Sequence, residues 1–222
     1  MAVDPLQQPK KSIPTLVKNE TLVSGKRRHI VQAAVKLFVE KGFHTSTTRE
    51  IAQAAGISIG SLYEYVASKE DVLYLVCDSI HQEMEQQLKE SLKHQADASV
   101  ALENAITAFF QVCDRMQDSI LLIYRETASL NTESQQYVLQ NETRITALFE
   151  DLIQQGMESG SFSPVSKKNI SLIAHTIVIL GHEWALRRWF LHSQFSLQEY
   201  TTLQSKLILN QIIIATPSTN TE

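Results

Sequence analysis

Between Thr47 and Leu73 the chain reads TTREIAQAAGISIGSLYEYVASKEDVL, two very short helical patterns set around one glycine and followed by the start of a much longer helix. Amphipathic helices of globular domains usually run to about 8–20 residues, so two this short, joined this tightly, must be held by their neighbours. Thr47 and Glu50 have capping-box spacing, in which the hydroxyl accepts from a first-turn amide and the carboxylate reaches back. Ile51, Ala52 and Ala55 then give one small apolar face, and Gly56 is where the chain turns, because glycine reaches positive φ without penalty. Ser58 caps the second helix, with Leu62 and Tyr65 three residues apart on its inner side. Ser68 with Asp71 caps the long one, which continues through Val72, Leu75, Val76 and Ile80 to about His94.

Upstream, Ile30, Ala33, Ala34, Leu37 and Phe38 recur at three- and four-residue spacing, one face of a helix expected over Lys26 to Lys41 and stopped by Gly42. That helix is the platform for the two short ones. A small residue, Ala52, at the crossing, Gly56 in the turn and apolar Ile51, Ile57 and Leu62 make a helix-turn-helix. A short second helix suits a DNA major groove about 12 Å wide, with its first residues on the base edges.

The rest of the chain extends the helical pattern. Of 222 residues only 7 are Gly and 5 Pro, and three of the prolines lie before Thr15, which leaves little punctuation for strands and hairpins. The expected class is all-α with about nine helices, further ones running over 97–116, 118–128, 132–158, 166–192 and 196–215. Thr132 with Gln135 and Ser196 with Glu199 are read as two more capping boxes, and Gly156, Gly160, Ser163 and Pro164 mark a loop. Residues 1–24 are expected to be a disordered tail, 25–69 the DNA-binding domain and 70–222 an effector-binding and dimerisation domain.

Charge divides the chain in the same way. Residues 1–69 hold 10 Lys and Arg against 5 Asp and Glu, while 70–222 hold 10 against 19. The basic third suits phosphate. Cys77 and Cys113 lack metal-ligand spacing, so neither a zinc site nor a disulfide framework is expected. With no apolar run near the roughly 20 residues a membrane span needs and no signal-peptide core, the expected location is the cytoplasm.

The stretch VQAAVKLFVEKGFHTSTTREIAQAAGISIGSLYEYVASKEDVL resembles the DNA-binding domain of TetR-type repressors. The resemblance rests on Phe43 after its glycine, the Thr47-Thr48-x-x-Ile51-Ala52 run, the Gly60-x-Leu62-Tyr63 of the recognition helix and the Lys69-acid pair opening the fourth helix. It implies an N-terminal three-helix domain that binds operator DNA, and it turns Thr48, Arg49, Ser58, Ser61, Tyr63, Tyr65 and Lys69 toward that DNA. Tyr65 can equally pack in the small core, and Thr47 can be a cap alone. Ile59 departs from a polar base reader and can meet only a thymine methyl, or nothing.

In the C-terminal part, 166–192 carries two apolar stripes, Ile173, Ile177, Leu180, Trp184 and Ala174, Val178, Gly181, Ala185. Similar repressors pair their last two helices between subunits, which implies a homodimer here, with Ile212 placed in the facing stripe. HEWALRRWF followed by FSLQEY is similar to a branch of the family that senses acyl-CoA thioesters. Under that resemblance the acyl chain is expected among Phe109, Phe110, Cys113, Phe149 and Ile177, adenine on Trp184, and phosphates near Arg187 or Arg188, whose charge would be costly to bury unpaired. Trp184 and Arg188 can instead be a surface or interface cluster, and Arg125 is expected in a buried ion pair, with Glu183 or Glu142, rather than in a pocket wall. His182 lacks the second histidine four positions on that a zinc-protease helix needs, because Leu186 stands there. No cofactor or catalytic constellation is expected. The competing functions are a regulator answering a hydrophobic drug-like molecule or fatty acid, a helical scaffold that does not bind DNA, and a helical enzyme.

Overall fold

The computed structural model describes residues 12–91 and 97–212. Among them are ten α-helices and no strand: α1 (Glu20–Lys41), α2 (Thr48–Ala54), α3 (Ile59–Tyr65), α4 (Lys69–Ser91), α5 (Ala98–Arg115), α6 (Gln117–Glu126), α7 (Thr132–Glu158), α8 (Lys167–Leu186), α9 (Arg188–Gln194) and α10 (Leu197–Leu209). The chain forms two compact units, Met1–Glu83 with Asp118–Thr143 and Met84–Gln117 with Arg144–Glu222. The divisions cut α4 and α7, whereas the sequence suggested one boundary between Lys69 and Glu70. A long helix that serves both units has no break in composition to mark it.

In the first unit α1 starts six residues earlier than expected, because Asn19 is its cap and accepts from Leu22 N at 3.0 Å. The tail expectation fails for 12–24: Ile13 and Val23 are buried. Residues 1–11 lie outside the described residues. Gly42, at φ 87, ends α1, and its N–H still donates to Phe38 O. Phe38 and Phe43 then meet edge to face at 5.4 Å and, with Ile51 and Leu62, fill the core beneath α2 and α3.

Both short helices are capped as the sequence requires. Thr47 and Glu50 form the capping box of α2, and Ser58 accepts from Ser61 N to begin α3. Gly56 sits at φ 63 between them, a left-handed backbone that other residues adopt only with strain. At α4, Ser68 Oγ accepts from Asp71 N at 3.1 Å, and Asp71 Oδ2 accepts from Ala67 N at 3.2 Å. Farther along, the buried Asp78 carboxylate accepts from Gln82, Tyr137 and Asn141, which ties α4 to the start of α7. Arg125 is not in a buried ion pair: its side chain is exposed, 3.7 Å from the neighbouring Glu126.

The second unit packs α8 and α10 on α5. The two stripes of α8 are spent inside it except at the half-buried Leu180, since Ile173, Ala174, Ile177, Val178, Gly181, Trp184 and Ala185 are all buried. A side chain at Gly181 would stand 2.5 Å from the Phe109 ring, so the glycine is what lets α5 approach. Further expectations change. At the start of α7, in the first unit, Asn131 and not Thr132 is the cap, accepting from Ser134 N at 2.9 Å. The stretch 166–192 is broken at Arg187 (φ −108, ψ 22) into α8 and α9. The break lets the His192 ring lie 4.3 Å from that of Trp184, where eight residues of straight helix would separate them by about 12 Å. Ile212 is buried within the unit, and its carbonyl accepts from Ser163 N at 2.7 Å, so it does not face a partner. The α10 helix ends at Leu209, and residues 213–215 of its expected span lie outside the described residues. No helix among the described residues is long and apolar enough to cross a membrane.

Candidate nucleic-acid interface

The residues expected to meet DNA divide into two groups. Arg49 in the first turn of α2 is exposed, and so is Tyr63 on α3. Thr48 and Ser61 are half-buried, and the Thr48 hydroxyl lies 3.1 Å from the Tyr63 hydroxyl, which links the outer sides of the two helices. Ser58 is exposed but committed, since its Oγ accepts from Ser61 N at 3.0 Å. Ile59 and Gly60 are also exposed, so the first turn of α3 is an open surface carrying one aliphatic side chain.

Two residues point inward instead. Tyr65 is 5% exposed and belongs to the small core. Lys69 donates to the carbonyls of Phe43 and Ser46 at 3.0 Å and of His44 at 3.3 Å, while its ammonium lies 4.4 Å from the centre of the Phe43 ring. Three acceptors and an aromatic face hold that ammonium in the α1–α2 loop, so it is a structural clip for the loop and not an outward phosphate anchor.

One pair escaped the sequence. Lys41 Nζ donates to Glu50 Oε1, joining the last turn of α1 to the first turn of α2. That bond and the Thr47 hydrogen bonds lower the Glu50 carboxyl to about 2. Glu50 is read easily as a cap from its distance to Thr47. Its partner nine residues upstream has no periodic signal, because a loop intervenes.

In the second unit the expected ligand residues are brought together, as a filled core. Phe109, Phe110, Cys113, Phe149 and Ile177 are all fully buried, and the Phe109 ring packs on Phe149 at 5.5 Å and on His182 at 5.9 Å. Burial pushes the Cys113 thiol well above its ordinary range, with Asp114 adding to the effect. The Trp184 indole is engaged, donating to Asp114 Oδ1 at 2.7 Å and lying tilted against the rings of His192 at 4.3 Å and Tyr200 at 5.1 Å. Arg187 and Arg188 are exposed, Arg187 lying against the Trp189 ring, so neither carries the burial cost that pointed to an anion. Among the described residues no group of three or more His, Cys, Asp or Glu could hold a metal ion.

A glycine turn joining two seven-residue helices, seated on a longer helix and presenting Arg49 and Tyr63 outward, defines a helix-turn-helix regulator of transcription. Residues 30–74 match the family of bacterial regulatory proteins, tetR family, and residues 95–190 match the tetracyclin repressor-like C-terminal domain. The chain belongs to the tetR family. It is 34% identical over 208 residues to the HTH-type transcriptional regulator HbdR of Aromatoleum sp. (strain CIB), across 92% of this chain and 88% of that one. A bacterial regulatory protein of the tetR family from Rhodococcus RHA1 superposes with a TM-score of 0.72 at 25% identity, over 86% of this chain and 98% of that one. AibR, solved in complex with isovaleryl coenzyme A and operator DNA, shares the fold with a TM-score of 0.66 at 17% identity, over 82% of this chain and 97% of that one.

Proposed function

We propose that the chain is a ligand-responsive repressor that binds a palindromic operator as a homodimer and leaves it when an acyl-CoA occupies its second unit. The observation that carries the DNA part is the shared exposed side of α2 and α3, where Thr48, Arg49, Ser61 and Tyr63 lie together with Ile59. Arg49 supplies a phosphate or guanine contact, Tyr63 a phosphate contact and Ser61 a base-edge contact, while Ile59 suits a thymine methyl. Tyr65 and Lys69 hold the frame from within.

A second copy places the second reading helix about 34–36 Å along the duplex, one helical turn away. The surface that suits it is the apolar side left open on the second unit, with Leu172 and Ile179 on α8 and Leu203 and Leu207 on α10. For the effector, the AibR complex with isovaleryl coenzyme A supports an acyl-CoA. Its acyl chain would take the place of the Phe109 ring beside Gly181, with the phosphates at the exposed Arg187 and Arg188. The uniformly apolar character of the Phe109, Phe110, Phe149 and Ile177 cluster favours a second reading, a fatty acid or neutral hydrophobic effector. Whichever it is, a tenfold loss of operator affinity requires about 1.4 kcal/mol of coupling.

Binding-site selection from randomised duplex DNA tests the first part: an imperfect palindrome is expected, and absence of any enriched site refutes the DNA reading. Acyl-CoAs, fatty acids and free CoA are then titrated into the selected complex. Release by fatty acid alone would leave the repressor and remove the acyl-CoA.

A further inference from the structure

The recognition helix α3 has seven residues, and helix ends leave their last carbonyls without partners inside the helix. Here those carbonyls are met from far upstream. Glu64 O accepts from Leu16 N at 3.0 Å and from Thr15 Oγ1 at 2.9 Å. Tyr65 O accepts from Arg27 Nε at 3.0 Å, and Arg27 Nη2 donates back to Ile13 O at 2.8 Å and to Pro14 O at 3.3 Å. One guanidinium on α1 therefore fastens both the end of α3 and the arm that covers it. The arm has its own anchor, since Ile13 is buried. Arg27 is half-buried, and burial lowers its pKa against an opposing pull from Asp71.

Arginine suits the task because its planar fork offers several donors in fixed directions, which a lysine ammonium cannot match. By composition Arg27 counts with the basic residues of the DNA-binding third. By geometry its fork serves backbone carbonyls of this chain.

We infer that Arg27 and the arm Ile13–Leu16 are positioning elements of the DNA-reading head, holding the C-terminal end of α3 so that its outer residues fit the groove, without touching DNA themselves. This rests on the DNA-binding reading above. A phosphate ligand and a positioning residue differ in salt dependence, because only the loss of a phosphate contact lowers the number of counterions released.

The test is operator affinity of the full-length protein at several salt concentrations, on the duplex obtained by site selection, for the wild type, Arg27→Ala, Arg27→Lys and Arg49→Ala. Arg27→Ala is expected to weaken specific binding about tenfold or more with an unchanged salt slope, while Arg49→Ala lowers the slope by about 1. Arg27→Lys should fail to restore binding although it keeps the charge. Ile13→Asp, which undocks the arm and leaves Arg27 in place, should reproduce the loss, and it decides the matter if Arg27→Ala does not fold. A lower slope in Arg27→Ala makes Arg27 a phosphate ligand and overturns the inference. So does a lower melting temperature with unchanged affinity, which makes the clasp purely a matter of stability, or restoration by Arg27→Lys. A wild type with no salt-dependent binding overturns the DNA reading itself.

Discussion

The hydroxyls of Thr48 and Tyr63 lie 3.1 Å apart, so the first turn of α2 and the middle of α3 are joined on their outer side as well as through the core. Both side chains reach solvent, and a hydrogen bond there contributes little to folding, because water competes for the same groups. Its value lies in fixing where the Tyr63 phenol points. Tyr63→Phe is expected to leave the melting temperature unchanged and to weaken operator binding by about 1 kcal/mol, or roughly fivefold. Equal operator affinity for the variant and the wild type removes Tyr63 from the interface.

Glu50 links acid stability to the same motif. Its carboxyl lies near 2, lowered first by the Lys41 hydrogen bond and then by Thr47. The folded pKa is depressed below the ordinary 4.5, so the stabilisation is fully present above about 4.5 and is lost as pH falls through about 2. The side chain is open to solvent, so salt screens part of the effect. Urea midpoints of wild type and Glu50→Gln should converge between those pH values. A gap that stays constant down to pH 2 rules out this linkage.

Two glycines should respond to alanine with opposite signs. At Gly181 the new methyl would stand 2.5 Å from the Phe109 ring and 3.1 Å from Cys113 Sγ, and Phe109 is fully buried against Phe149 and His182. Gly181→Ala should cost about 1–3 kcal/mol by overpacking. At Gly25, inside α1, nothing lies within 4 Å of the added carbon, so Gly25→Ala should gain about 0.5–1 kcal/mol from the helix term alone. Thermal melts of both variants read the signs directly.

These contrasts show what the sequence can and cannot reveal. Thr47 and Glu50, Ser58, Gly42 and Gly56 act within a few residues of themselves, and their roles are legible from spacing. Tyr65 is ambiguous in sequence because its position on α3 fits both the core and the groove, and only burial decides it. Lys69 reads as a phosphate binder, and Arg27 counts with the basic third, because charge is visible and direction is not. Their acceptors are carbonyls 23 to 26 residues away for Lys69 and 13 to 38 for Arg27, and carbonyls carry no residue-specific signal. The start of α1 is illegible in the sequence because Asn19 follows a stretch rich in proline and lysine that looks unstructured until Ile13 finds its place in the core. Trp184 and Arg188 look like one site four residues apart on a helix, but the turn at Arg187 separates an inward indole from an outward guanidinium.

The proposed dimer surface rests on the same distinction between apolar and available. Ile212 is apolar but fully buried in its own unit, so Ile212→Glu should unfold that unit by placing a charge in the core. Leu172 is 64% exposed, Leu203 50% and Leu207 61%, and water-facing leucines repeated on α8 and α10 are the kind of apolar patch that a partner covers. Burying such leucines stabilises a dimer by roughly 1.5–3 kcal/mol each at most. A Leu172→Glu, Leu207→Glu double variant should therefore sediment as a folded monomer with wild-type helical circular dichroism. It should also lose selective operator binding, since one reading helix engages only a half-site. A double variant that remains dimeric would move the interface off α8 and α10, and a wild type that is monomeric at micromolar concentration would remove the dimer.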